Sequence, residues 1–147
     1  MTRVDLRSSA PKYDGPLLRL DDLCVHFESE HGEVTEAVKH VCFDLHAGER
    51  FALVGESGSG KSVTALSIMR LLADAQYSGR ILLEGRDLLA ASEREMRGLR
   101  GADVAMVFQE PMTALNPLYT IGNQIVETLE LHEGLDKRAA KARAIAL

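Results

Sequence analysis

The sequence predicts an α/β protein in which short strands alternate with helices. Two observations carry this prediction. Two runs of alternating apolar and polar residues, at 17–27 and 36–45, predict a pair of antiparallel strands. Further along, the glycine-rich stretch GESGSGKS at 55–62 stands between the apolar run FALV and the helix-forming run VTALSIMRLL. A buried strand, a glycine loop and a helix are therefore expected in direct succession.

The other elements follow the same apolar patterns. We expect strands at 51–54, 80–85 and 103–108, and helices over 61–72, 92–100, 121–132 and from Asp136 onward. The helix over 61–72 has apolar residues around most of its circumference, which predicts deep packing. Ser92 is a plausible N-cap, and the basic residues of the last helix predict a solvated face. Pro111 and Pro117 exclude regular structure between the last strand and the helix at 121.

Length and composition limit the classes of function. The chain has 147 residues, 46% hydrophobic and 27% charged, which fits one globular domain. Its net charge of −5 argues against broad binding of nucleic-acid backbones. No apolar run approaches the length that spans a bilayer. Residues 1–16 lack the apolar centre of a signal peptide and predict a disordered lead-in, so we expect a cytoplasmic protein.

Each cysteine is separated from a histidine by one residue: Cys24 lies two positions before His26, and Cys42 lies two positions after His40. Structural zinc sites usually place two or more residues between paired ligands, so this spacing fits them poorly. The alternation in LCVHF and HVCFDL instead predicts two half-buried neighbouring strands whose polar faces meet. We therefore expect reduced, structural cysteines.

The stretch at 55–62 matches the phosphate-loop pattern G-x-x-x-x-G-K-[ST] through Gly55, Gly60, Lys61 and Ser62. Glycines, Gly58 among them, allow the backbone to turn sharply and to approach phosphates closely. Lys61 can reach the β- and γ-phosphates, and the Ser62 hydroxyl can bind Mg²⁺. The predicted contacts to ATP are Gly55, Glu56, Ser57, Gly58, Ser59, Gly60, Lys61, Ser62 and Val63. The motif indicates a P-loop NTPase core without saying which kind.

Three kinds of phosphate-loop protein compete. A GTPase should carry N-K-x-D and D-x-x-G, and neither string occurs. A small-molecule kinase should supply basic lid residues downstream, where this chain is proline-rich and then acidic and apolar. From Leu17 onward the chain resembles the third kind, the ABC transporter ATPases. The antiparallel segment, the phrase HAGERFALVGESGSGKS and the later string MVFQEP carry this resemblance.

The resemblance assigns roles to two more residues. Phe27 occupies the place of an aromatic residue that stacks on adenine, although a role in the apolar core is equally compatible with its position. Gln109 corresponds to the glutamine that contacts Mg²⁺ and the attacking water. Together with Lys61 it is the expected catalytic residue, and together with Ser62 it is the expected metal ligand.

The strings GESGSGKSVTALSIMRLL and RGADVAMVFQEPMTALNPLYTIGNQI are similar to importers of dipeptides, oligopeptides, nickel and glutathione. The resemblance implies a second ATP-binding subunit, transmembrane permease subunits and, indirectly, a solute-binding protein. It places the chain on the inner face of the cell membrane, bound through its partners, with no nucleic acid involved. The full-length protein would bind and hydrolyse ATP as a dimer, in service of peptide import.

The family's later motifs do not occur among these residues. There is no LSGGQ-like signature and no apolar run that ends in Asp-Glu. Asp44 ends VCFD, but it precedes the phosphate loop and is followed by Leu45, so it is not the missing acidic pair. The resemblance therefore covers 17–147 as the N-terminal part of one ABC-type domain, truncated within its helical subdomain. The alternative is a non-transport ABC-type protein, or a nucleotide-binding fragment without turnover.

Overall fold

The computed structural model describes residues 13–108 and 115–147. The chain divides into two compact units between Met96 and Arg97. Most of the predicted lead-in at 1–16, and the loop that contains Gln109, lie outside the described residues. Each unit is described by itself.

The elements of the first unit are strands β1 (Leu18–Glu28) and β2 (Val34–Leu45), helix α1 (Lys61–Ile68), strands β3 (Ala75–Leu83) and β4 (Arg86–Asp87), and the start of helix α2 (Glu93–Leu99). The strands form one antiparallel sheet in the order β2-β1-β3-β4. The predicted strands at 17–27 and 36–45 are confirmed. The strand predicted at 80–85 is longer than expected, because residues 75–79, expected as a connection, pair with β1.

Strand β1 is the centre of the sheet and supplies much of its core. Leu20, Leu23 and Val25 are almost completely buried, and Ile81 of β3 joins them. At the exposed edge of the β1–β2 ladder, Arg19 binds Asp44 through two hydrogen bonds of 2.7 and 2.6 Å. This contact lowers the pKa of the Asp44 carboxyl below its ordinary range. Cross-strand apolar pairs therefore hold the sheet together, with a charged pair at its rim.

Three register shifts, or bulges, interrupt the ladder between β1 and β2. The pairing of Leu20 with Phe43 and of Leu23 with Val41 leaves an extra residue on β1, and the two shifts that follow each leave one on β2. Asp22 and His40 lie in these shifts with φ of 53° and 48°. Because the bulges disturb the alternation, Cys24 is buried together with its two apolar neighbours, contrary to the expected polar face.

Helix α1 is shorter and less deeply packed than the sequence predicts. It ends at Ile68, and Arg70 has a φ of 50°, which stops the helical turn. The residues that are buried within it are Thr64 and Ser67, whose hydroxyls donate to the carbonyls of Gly60 and Val63. The prediction of deep packing is therefore wrong, since the apolar residues of α1 are partly exposed.

The strands predicted at 51–54 and 103–108 are not formed. Residues 51–56 have no regular structure, and Val54 is 88% exposed. In the second unit Val104 makes only an isolated bridge to Arg100, and Val107 is 95% exposed. A buried strand needs backbone partners at its edges and side chains over both faces. Across residues 13–108 and 115–147, no other strand supplies those partners to either segment.

The second unit contains helices α3 (Ile121–Glu133) and α4 (Lys137–Ala146), as predicted. Thr120 caps α3 by accepting from the N–H of Asn123, and Asp136 caps α4 by accepting from two N–H groups. The basic residues of α4 are exposed, which confirms the predicted solvated face. Across the described parts of the chain, no helix is both long and apolar enough to cross a bilayer.

Candidate functional site

A cavity of about 330 Å³ lies between β2 and the phosphate loop, within the first unit. Its walls come from two stretches of the chain, namely Thr35, Glu36 and Ala37 of β2, and Gly58, Ser59, Gly60, Lys61, Ser62 and Val63 of the loop and α1. The loop thus does not stand alone, because one edge of it rests against a strand that the antiparallel sheet holds in place.

Gly60 fixes the contact between the loop and β2. Its φ is 87°, a conformation that residues with a side chain rarely adopt. A Cβ atom at this position would lie 2.6 Å from the carbonyl oxygen of Ala37. Gly58 has a similar φ of 82° but faces open space, so its requirement concerns the turn alone. The two glycines therefore serve different purposes, close packing at Gly60 and chain reversal at Gly58.

The ammonium group of Lys61 is directed into the loop that precedes it. Its Nζ donates to the carbonyl oxygens of Gly55 and Glu56 at 2.8 and 2.6 Å, and it lies 3.2 Å from Oγ of Ser59. Three oxygen atoms at these positions form an oxygen-rich environment around one positive charge. Phosphate oxygens could take their places with little movement of the lysine stem.

The N-terminus of α1 opens toward the same cavity. Gly60 is its N-cap and offers no side chain to accept the first N–H groups, and its first turn contains no acidic residue. Unpaired N–H groups at a helix start carry a partial positive charge that favours anions. Ser62 lies in this first turn with its side chain exposed. The arrangement can therefore bind a polyphosphate and present a hydroxyl oxygen beside it.

The predicted phosphate contacts are only partly brought together by the structure. Those from Gly58 to Val63 line the cavity, whereas Gly55 and Glu56 contribute through their carbonyl contacts to Lys61. Ser57 is exposed in the turn. Gln109 lies outside the described residues.

Phe27 does not line the cavity, but its Cα partner in the ladder is Thr35, which does. It is half-buried near the end of β1, so its two predicted roles stay open. Sequence reasoning missed the β2 wall. Nothing in the spacing of residues 35–37 marks them, because only the register of β2 places them against the loop.

Comparison with known proteins decides the family. The family model described as ABC transporter matches residues 38–146, more than half of the chain. The chain belongs to the ABC transporter family. The match begins in β2, one residue after the part of the strand that lines the cavity, and it includes the phosphate loop and the start of α1. The predicted α/β P-loop NTPase fold, with its N-terminal antiparallel sheet, is thereby confirmed.

Several curated ABC relatives are similar over most of the chain. The peptidoglycan transport ATP-binding protein YejF of Agrobacterium fabrum is 53% identical over 90% of this chain and 24% of its own length. The dipeptide transport ATP-binding protein DppD of Bacillus subtilis is 48% identical over 89% of this chain and 40% of its own length. The glutathione import ATP-binding protein GsiA of Pectobacterium atrosepticum is 47% identical over 88% of this chain and 22% of its own length. The chain therefore spans less than half the length of each of these relatives.

Proposed function

We propose that this chain is the nucleotide-holding part of an ATP-hydrolysing subunit that energises an ABC importer, and that the imported solutes are peptides. The observation that carries the proposal is the cavity between β2 and the phosphate loop, into which the helix N-terminus opens and beside which the Lys61 ammonium lies. The family match supports the ATP-driven role, and the names of the relatives support the peptide class.

In the proposed complex, Lys61 exchanges its contacts with the loop for oxygens of the β- and γ-phosphates. The N–H groups at the start of α1 hold the same phosphates, which needs no movement of the helix. The hydroxyl of Ser62 is an oxygen donor of the kind that Mg²⁺ prefers, and it lies at the phosphate end of the cavity. When bound, Mg²⁺ would neutralise phosphate charge. Gln109 is proposed, from the resemblance alone, as its second protein contact and as a catalytic residue.

The transport role requires partners that bind to other surfaces. We propose a second ATP-binding subunit, permease subunits that hold the assembly on the inner face of the membrane, and an external solute-binding protein. The segment around Gln109 resembles the part that faces the permease. A co-purification of the subunit with its permease tests this role, and loss of binding after Glu110→Ala and Pro111→Ala is expected. Unchanged binding would contradict it.

A second candidate is nucleotide binding without turnover. The 147 residues contain no LSGGQ-like string and no apolar run ending in Asp-Glu, the groups that the family uses for the partner contact and for the general base. We therefore expect the purified 147-residue chain to bind ATP but not to hydrolyse it at a rate typical of an ABC ATPase. Lys61-dependent hydrolysis by this chain would overturn that expectation.

Calorimetric titration with ATP and Mg²⁺ tests the binding site. Lys61→Ala should weaken binding by at least about tenfold, because a charge-assisted contact to phosphate is lost. Lys137→Ala is the matched control, since it removes an exposed lysine on α4 that has no place in the cavity. Equal losses in both variants, or no binding by the unaltered chain, would refute the site.

The same titration distinguishes the two roles of Phe27. Stacking on adenine predicts that Phe27→Leu weakens ATP binding while leaving the affinity for tripolyphosphate unchanged. A core role predicts instead that both affinities change together with the thermal stability of the sheet.

A further inference from the structure

The bulged region of the β1–β2 ladder places three metal-binding side chains together. The ligand atoms of Cys24, Glu36 and His40 all lie within 4.8 Å of one another. A tetrahedral zinc ion at its usual bond lengths needs ligand atoms about 3.5 Å apart, so small rotations of the exposed His40 and the partly exposed Glu36 suffice. This set is not the mirrored Cys-His pattern of the sequence, because it excludes His26 and Cys42 and includes Glu36.

The strand register explains why these residues meet. The extra residues on β1 and β2 turn Cys24 toward the backbone of His40, whose N–H donates to the Cys24 sulfur at 3.3 Å. Cys24 is 4% exposed, so its sulfur is screened from most other reactants while it faces the cluster. The bulges thus place a sulfur ligand where regular strands would not.

The imidazole of His40 is also held in a defined orientation. Its Nδ1 lies 2.8 Å from Oδ1 of Asp22, the bulged residue of the neighbouring strand. Histidine ligands of metal ions commonly donate one ring N–H to a carboxylate, which fixes the ring and leaves the other nitrogen for the metal. The carboxylate of Glu36 pairs with Lys39, whose Nζ lies 3.3 Å from its Oε2, and a metal ion would replace this exposed ammonium group.

We propose that Cys24, Glu36 and His40 form a binding site for a divalent transition-metal ion of the zinc class, with Asp22 orienting the imidazole. One thiolate, one imidazole and one carboxylate form a donor set that favours zinc over magnesium or calcium. A water molecule completes four-coordination. Binding replaces the thiol proton of Cys24 by the metal and releases that proton to solvent.

The metal site shares Glu36 with the wall of the cavity beside the phosphate loop, but it does not include Lys61 or any other residue of that loop. Lys61→Ala should weaken triphosphate binding by at least about tenfold and leave metal binding unchanged, which distinguishes failure of one site from failure of the other. Conversely, Cys24→Ser should remove metal binding and preserve most of the affinity for ATP.

The test is titration of the purified chain with Co²⁺, without nucleotide, followed by displacement with Zn²⁺. Binding of one equivalent should give a thiolate-to-cobalt charge-transfer band in the near ultraviolet. Cys24→Ser should abolish the band, and His40→Ala and Glu36→Gln should each weaken the affinity at least about tenfold. Asp22→Asn should weaken it by about 10–100-fold, as expected of a group that acts through a ligand.

Matched controls show whether metal binding depends on these three residues or whether any cysteine or histidine of the chain can supply it. Cys42→Ser removes the other free thiol, and His31→Ala removes an exposed histidine outside the cluster. Both should bind Co²⁺ as the unaltered chain does. His40 and Glu36 are not buried, so their variants should retain the circular dichroism spectrum even if the Cys24 variant folds poorly. Absence of the band in the unaltered chain, its persistence in Cys24→Ser, or its loss in Cys42→Ser would overturn the proposal.

Discussion

Strand β1 and the segment 51–54 are both rich in apolar residues, yet they end in opposite environments. Val25 in β1 is fully buried between β2 and β3, whereas Val54 is 88% exposed. Both valines belong to the first unit, so a difference between the two units does not explain their different exposure. What differs is the availability of neighbours: β1 has a hydrogen-bonded strand on each edge.

The comparison shows that an apolar run specifies a buried strand only when partners exist for its backbone. Each unpaired N–H or C=O would lose its contact with water on burial, at a cost of about 1–3 kcal/mol. Within the described portion of the chain, no strand pairs with 51–54, so its backbone stays solvated. The phosphate loop that follows is nevertheless positioned, because Gly60 packs against β2 rather than relying on the segment before it.

The largest expected difference is in amide hydrogen exchange. Amides of β1 that bond to β2 or β3 open only with the sheet, so they should exchange at least about a thousandfold more slowly than those of 51–54. Exchange measured by NMR or mass spectrometry gives both rates in one sample. Similar protection of the two segments would mean that 51–54 has partners in solution.

A matched pair of substitutions tests the contrast between β1 and the segment 51–54 through the free energy of unfolding. Val25→Ala should lower the free energy of unfolding by about 2 kcal/mol, through lost burial and the cavity that remains. Val54→Ala makes the same chemical change at an exposed site and should stay within about 0.5 kcal/mol. Urea denaturation followed by circular dichroism gives both values. Equal costs would contradict the exposed position of Val54.

The third prediction concerns the junction at which the loop meets β2. Gly60→Ala and Gly58→Ala both place a side chain at positive φ, but only the first forces a Cβ against the Ala37 carbonyl. Gly60→Ala should therefore lower the affinity for ATP about tenfold more than Gly58→Ala. Titration with ATP measures the difference. Identical losses would mean that the loop does not rest on β2 when it binds nucleotide.

The smallest expected effect concerns the start of α2, which is stabilised by contacts between residues only three positions apart in the sequence. Ser92 and Glu95 form a capping box, in which the Ser92 hydroxyl and its backbone N–H both donate to the Glu95 carboxylate. These contacts, and more weakly the nearby Arg86, lower the pKa of Glu95 below its ordinary value of 4.5. The folded pKa is the lower one, so the stabilisation is present above 4.5 and is lost as the pH falls through the folded pKa.

An NMR titration of the Glu95 side chain tests this assignment. Ser92→Ala should raise the pKa of Glu95 toward its ordinary value, because the largest hydrogen bond to the carboxylate is removed. Arg86→Ala serves as the comparison and should raise it less. A larger shift in the Arg86 variant would mean that charge, not the cap, controls this carboxylate.

Elements with local determinants were predicted well from sequence. Helix α4 begins after Asp136 as expected, because the Asp136 side chain accepts from the N–H groups of Arg138 and Ala139. The phosphate loop was also evident, since Gly60 and Lys61 stand at a spacing that few other structures require. The wall at Thr35 and the bulge at His40 were not predictable, because both depend on which residue of β1 faces which residue of β2.

By itself, the sequence determined the phosphate loop, the helix caps and the antiparallel strand pair, all of which depend on residues close together or on a simple alternation. Only the tertiary structure decided that Ala37 supports Gly60, that Cys24 meets Glu36 and His40, and that 51–54 stays exposed. The physical reason is register. A shift of one residue in a strand changes which side chains share a face, and the apolar pattern of either strand alone does not specify it.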